Sequence, residues 1–226
     1  MEIQAKAVGV TGPHGPLLRP TSLRVAPGQV ALVTGEPGAG HTVLALTLAG
    51  RMRPHEGAVL LDGRTNESGL RAGVAVVDAP GVTEPEGSLR LRDVIGEELA
   101  MAGAPANRRA VREWLAERGC EQHADSRFET VPSTARTRLL VESAATRPGV
   151  GVLVMDCPDR HTDDPHAWWA LARQQAELGL AVVALCTETS SRLLGIPAAR
   201  LGSQEQPPPL AVHVRHGKHE AQEMAQ

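Results

Sequence analysis

The chain has 226 residues, 42% hydrophobic and 22% charged, with a formal net charge of -3. That length holds one sizeable core, or one domain with a small subdomain attached, and the balance excludes global disorder. So small a charge excludes a surface built to coat nucleic acid or anionic lipid, and no nucleic-acid partner is expected.

EIQAKAVGV and then TSLRVAPGQVALVTG alternate or run apolar with β-branched residues, so they predict two or three strands separated by the turn-rich TGPHGP and the APG turn. VTGEPGAGHTVLAL follows, with glycines spaced as in the phosphate-binding loop G-x-x-x-x-G-K-[ST] and His41 where that loop carries lysine. Residues 42–51 predict a short helix opening out of the loop, stopped by Gly50 and RPHEG. GAVLLDG and the fully apolar VAVVDAP predict two further strands, the second of the kind buried in a parallel sheet. A helical stretch over about 91–118, broken near AGAPAN, and a helix over about 133–146 come next. VGVLVMD is the strongest buried-strand signal, and the amphipathic AWWALARQQAEL leads from it into the strand LAVVALC. This order predicts an α/β fold with a mostly parallel central sheet. From Ser203 the composition turns to prolines and polar residues, which predicts a mobile tail over 203–226 with one edge strand at LAVHV.

Cys120, Cys157 and Cys186 are widely separated, so neither a disulfide framework nor a zinc site is expected, and a reducing cytoplasm suits them. The N-terminus carries no basic stretch followed by an apolar segment, and the longest apolar runs fall short of the ~20 residues of a membrane span, so any membrane association is expected through a partner. Lys6 and Lys218 are the only lysines and neither is near the glycine loop in sequence.

A strand enters the loop and a helix leaves it, the setting in which loop N–H groups and a helix N-terminus face an anion; a plain tight turn is the alternative. Asp156 ends the apolar strand GVLVMD, where a carboxylate can hold Mg²⁺ through water while Thr42 ligates the same ion. Together with SLRVAPGQVALVTGEPGAGHTVLALTLAGRMRPHEGAVLLDG and RPGVGVLVMDCPDRHTDD, these residues resemble the ATP-binding cassette, the nucleotide-binding subunit of ABC transporters, over about residues 3–202. The resemblance implies a P-loop NTPase fold of ABC type, with an N-terminal antiparallel β region and a helical subdomain over about 91–147. It implies a nucleotide-binding set of Gly35, Glu36, Pro37, Gly38, Ala39, Gly40, His41, Thr42 and Val43. Thr42 and Asp156 become the Mg²⁺ positions, with Asp78 a further candidate, and Asp163 takes the second aspartate position after the strand. ATP and Mg²⁺ as cofactors, a membrane permease as partner, dimerisation with itself or another such subunit, and a cytoplasmic place at the inner membrane face are implied likewise.

The departures from the family's pattern fall on its chemical positions. His41 replaces the loop lysine, Asp78 the Q-loop glutamine and VPSTA, at 131–135, the L-S-G-G-Q signature. Cys157 replaces the general-base glutamate, Thr187 the switch histidine, and GPHG the aromatic that stacks on adenine near residue 12. A lysine is a permanent point charge, whereas an imidazole, with an ordinary pKa of ~6.5, is mostly neutral at pH 7. Nucleotide binding is therefore expected to be weak and to tighten as His41 protonates, unless His41 only fills space. A cysteine thiol is a poor substitute for a carboxylate base, so hydrolysis is expected to be impaired. The alternative is a non-enzymatic regulatory or scaffolding protein on the same fold; a small P-loop kinase fits the later motifs poorly. Lesser readings place one ring of Trp168 and Trp169 in the core and the other at a rim, with an adenine platform as the outlying alternative. His213, His216 and His219 are either a metal face or solvated, and Cys157 either a redox-sensitive or a buried inert thiol.

Overall fold

The computed structural model describes residues 1–162 and 164–215. Asp163, His216, Lys218 and His219 lie outside the described residues. Strands β1 (Ile3–Gly12) and β2 (Gly15–Val25) form a hairpin, and β3 (Gln29–Gly35) leads into the glycine loop and α1 (His41–Leu48). Next come β4 (Glu56–Leu61), α2 (Glu67–Gly73) and β5 (Val74–Val77), then α3 (Leu91–Met101), α4 (Arg108–Glu117) and α5 (Ser133–Ala145). The order closes with β6 (Val152–Asp156), α6 (Pro165–Glu177), β7 (Ala181–Thr187), α7 (Glu188–Leu194), β8 (Ala199–Arg200) and β9 (Leu210–Ala211). Among the described residues no helix is long and apolar enough to cross a membrane.

Two sheets result. One is antiparallel, in the order β2-β1-β4. The other runs β5-β6-β7-β3-β8, parallel throughout, with β9 added antiparallel to β3. Side chains alternate across a strand, so a strand buried on both faces divides its residues between two cores. In β7 this is literal: Ala181, Val183 and Leu185 join α1 and the antiparallel sheet, while Val182, Ala184 and Cys186 join α3, α5 and α6. All five residues of β6 are buried for the same reason. The α/β layout with its mostly parallel sheet, its antiparallel N-terminal region and its separate run of helices is the one expected.

Three local features differ from the sequence reading. Helix α2 is short and polar, and it begins where the Asn66 side chain accepts a hydrogen bond from the Gly69 N–H at 2.9 Å. Helix α7 is capped in the same way by Thr187. The edge strand expected at LAVHV is present as β9 on β3, but the residues around it, expected to be mobile, are also bonded: the Val212 N–H donates to Gly28 O at 2.9 Å and the Arg215 N–H to Glu177 O of α6 at 2.8 Å. The Gln206 side chain bonds both the N–H and the carbonyl of Arg200. Pairing of β9 with Gln29 and Val30 supplies the backbone partners that a solvated tail would take from water.

Both tryptophans are core residues. Trp168 and Trp169 are 2% and 6% exposed and meet edge to face at 6.5 Å, so neither forms a rim or an adenine platform. His213 is exposed on the strap formed by the last described residues.

Candidate functional site

The glycine loop lies where parallel strands β3, β6 and β7 end, the position at which helix N-termini and strand-end side chains converge. Gly38 and Gly40 have φ of 84° and 104°, left-handed values that glycine adopts without strain. A Cβ on Gly40 would stand 2.4 Å from the Leu17 carbonyl oxygen, so β2 also demands glycine there. The turn closes through the Ala39 N–H on Glu36 O at 2.9 Å, and Gly40 is the N-cap of α1. First-turn N–H groups of a helix have no intrahelical acceptor, and these face the strand ends. The loop and its neighbours bound a cleft of about 730 Å³ lined by Gly38, His41, Thr42, Asp156, Cys157 and Thr187, among others. Leu17, 46% exposed, and Leu193, 59% exposed, add apolar wall where the expected aromatic is missing.

His41 is 9% exposed, and its Nε2 lies 3.0 Å from the Cys186 carbonyl oxygen at the end of β7. A carbonyl only accepts, so Nε2 carries a proton and donates in either charge state. The imidazole is thus used to tie α1 to β7, which accounts for its place without any charge on it.

Thr42 Oγ1 donates to Asp156 Oδ2 at 2.6 Å, and Asp156 Oδ1 is buried with no protein partner. An orphaned carboxylate oxygen beside a hydroxyl, at the mouth of a phosphate loop, fits a hydrated Mg²⁺ held by Thr42 directly and by Asp156 through water. Burial dominates at Asp156 and raises its pKa, although Thr42, Cys157, Arg160 and His41 all act to lower it. A bound cation would offset that cost.

Cys157 follows Asp156 with φ of 50°, a left-handed value that is uncommon outside glycine. Burial first, then Asp156 and Asp159, push its thiol far above its ordinary value. The sulfur is therefore a protonated thiol, neither a base for water nor a reactive thiolate. Thr187 is equally committed. Its N–H and Oγ1 both donate to Asp159 Oδ2, at 2.9 and 2.8 Å, and Ser190 Oγ donates to the same oxygen at 2.7 Å. Asp159 went unnoticed in the sequence, where nothing local marks a carboxylate that will cap the helix of a neighbouring strand.

Asp78, the further metal candidate of the sequence, sits in a cluster of ion pairs. It is 5% exposed, with Arg136 Nη2 3.1 Å from Oδ1 and His161 Nε2 2.9 Å from Oδ2, and its backbone carbonyl accepts from Arg160. Burial pushes its pKa up, but His161 and Arg136 outweigh it and leave the carboxyl below its ordinary value. Asp78, Glu84 and His161 bring ligand-type atoms within 4.8 Å of one another, and the Arg136 and Arg160 guanidiniums lie against the two carboxylates. Asp78 thus pairs with arginine and histidine while remaining within reach of a candidate ligand set.

The VPSTA segment begins α5: Pro132 is the N-cap residue and no side chain caps the helix. Ser133, Thr134 and Ala135 line a separate groove of about 430 Å³ against α6. It shares Thr162 with the glycine cleft but no residue of the glycine loop.

A family profile described as ABC transporter matches residues 18–148. The cytochrome c biogenesis ATP-binding export protein CcmA of Alkalilimnicola ehrlichii is 30% identical over 202 residues, covering 88% of this chain and 85% of that protein. The zinc import ATP-binding protein ZnuC of Pseudomonas putida is 34% identical over 166 residues, covering 71% of this chain and 58% of ZnuC. Among solved structures, a nucleotide-free ATP-binding cassette from an ABC transporter superposes with a TM-score of 0.68 over 92% of each chain at 15% identity, a likeness of fold. With the profile spanning more than half of the sequence and the loop, strand ends and two-sheet architecture in place, the chain belongs to the nucleotide-binding subunits of the ABC transporter family.

Proposed function

We propose that this chain is the ATP-binding subunit of a transporter, docks on a membrane permease at the cytoplasmic face, binds MgATP weakly and turns it over slowly or not at all. The observation that carries this reading is the pairing of a preserved cradle with a disarmed chemical set. Gly38, Gly40 and the N-terminus of α1 retain the shape that receives phosphate, and Thr42 with Asp156 retains the pair that would hold Mg²⁺. Bound there, Mg²⁺ would neutralise phosphate charge. The remaining steps fall to the chain's own side chains, and those are spent elsewhere. His41 is bonded to Cys186 O, Cys157 holds its proton, and Thr187 is bonded to Asp159. Lacking a base costs about 10² to 10⁴-fold in rate. The same bonds favour a second reading, a non-hydrolysing regulatory or scaffolding subunit, because His41, Asp78 and Thr187 each now have a structural bond of their own. Pairing as a homodimer or with another such subunit fits either reading.

ATP binding and ATPase activity, measured for the chain and for His41→Lys and Cys157→Glu variants, separate the two. Binding by the unaltered chain, with turnover appearing in the double variant, is the expected result. No binding by any of them would leave the scaffold.

A further inference from the structure

A side-chain cluster between the cleft and the helical layer does work that the reading above leaves unassigned. Arg136 and Arg160 share Glu84 Oε1, at 3.3 and 3.4 Å, and both approach Asp78. The two arginines differ in place. Arg136 is 11% exposed at its side chain and stacks 4.5 Å over the Phe128 ring, whereas Arg160 is 28% exposed and lines the cleft that holds Gly40, Thr42 and Asp156. Among the described residues lining that cleft, Arg160 carries the one guanidinium, there is no ammonium, and Asp156 and Asp159 add two carboxylates. Its charge reaches Asp156 and Cys157, where it acts against the shift that burial imposes.

A polyphosphate in the cleft would meet two carboxylates and a histidine engaged by a carbonyl, so the loop amides alone do not balance its charge. We propose that Arg160 is the phosphate-binding cation of this cleft, in the place of the lysine that His41 replaces, exchanging Glu84 for phosphate oxygens when nucleotide enters. Its fork suits that exchange. One nitrogen is anchored on the Asp78 carbonyl, while the other holds Glu84 at 3.4 Å in a pair 28% and 30% exposed, a contact that solvent weakens. Phosphate oxygens accept from guanidinium more strongly than a half-solvated carboxylate does. The inference rests on the nucleotide reading above, and it concerns which residue holds the phosphates.

Calorimetric titration of the full chain with ATP and with ADP, in EDTA so that no metal contributes, tests it. Arg160→Ala weakens binding about tenfold, the worth of one charge-assisted contact, and Arg160→Lys recovers part of the loss. Glu84→Gln keeps an acceptor oxygen, removes the competing charge and tightens binding several-fold, and this gain vanishes in the Arg160→Ala background. Equal affinity of Arg160→Ala and the unaltered chain overturns the inference while leaving the nucleotide reading intact. So does a Glu84→Gln gain that persists without Arg160. Should the unaltered chain not bind in EDTA, the same variants are titrated with Mg²⁺ present and read in the same way, and no binding under either condition removes the nucleotide reading itself. Should Arg160→Ala fail to fold, the Lys and Gln variants decide: no tightening in Glu84→Gln counts against the proposal.

Discussion

Replacing Arg136 by methionine keeps an unbranched apolar stem beside Phe128 and removes the guanidinium that lies 3.1 Å from Asp78, at 11% and 5% side-chain exposure. Breaking a buried pair from one side strands a charge, which costs about 3–5 kcal/mol. Asp78 here keeps His161 at 2.9 Å and Arg160 at 3.7 Å, and Glu84 is 30% exposed and rehydrates. The expected loss is therefore about 2–3 kcal/mol, at and just below the lower end of that range. For a chain of this size it lowers the melting midpoint by roughly 4–12 °C. Urea unfolding of Arg136→Met, Asp78→Asn and the double variant measures it, with the double losing less than the sum by about 1 kcal/mol or more. The same pair sets an acid limb. A carboxyl held below its ordinary value of 3.8 in the folded state adds stability that is complete above that value and is lost as pH falls through the folded pKa. Arg136→Met flattens this limb. Strict additivity, or a single-variant loss under about 0.5 kcal/mol, the level of a plain surface change, would refute the reasoning.

Gly40→Ala meets the Leu17 carbonyl at 2.4 Å with φ of 104°, so we expect a loss of about 2 kcal/mol or more and weaker ATP binding, read by thermal melting and titration; an unchanged melting midpoint would refute it. Asp156→Asn removes a carboxylate whose pKa burial raises, a charge that the folded state tolerates badly above its folded pKa, so at pH 7 the variant gains stability while Mg²⁺ no longer strengthens ATP binding. A lower melting midpoint at pH 7, or an undiminished Mg²⁺ effect, counts against that account.

Much of the fold was legible because its signals are local. Gly38 and Gly40 are demanded by backbone angles within the loop, and VLVMD and AVVALC are apolar runs too short for helices. The side chains that decide the chemistry were legible only as departures from a pattern, because their partners arrive through the fold. His41 bonds a carbonyl 145 residues away, Arg136 is 58 residues from Asp78, and Arg160 is 82. Nothing near Asp78 in sequence indicates that two arginines and a histidine will surround it, so its ion pairs were not legible there. Asp159 escaped notice for the same reason, its work being done on Thr187 and Ser190, 28 and 31 residues further on. The edge strand at LAVHV was legible from its apolar run, but the prolines before it hid the bonds of the strap's flanking residues, since composition registers the lost N–H donors and not the donors that remain at Val212 and Arg215.

That strap bears on how the loop-bearing strand stays solitary. One flank of β3 is paired by β7 along its whole length, but the other is covered by β8 only at Val33 and Thr34 and by β9 at Gln29 and Val30. Without residues 210–211 the first half of β3 would offer unsatisfied N–H and C=O groups to any extended chain, the template from which strands join between molecules. The last described residues thus act as a built-in blank, occupying the docking edge of the strand that aims the phosphate loop so that no foreign strand can register there.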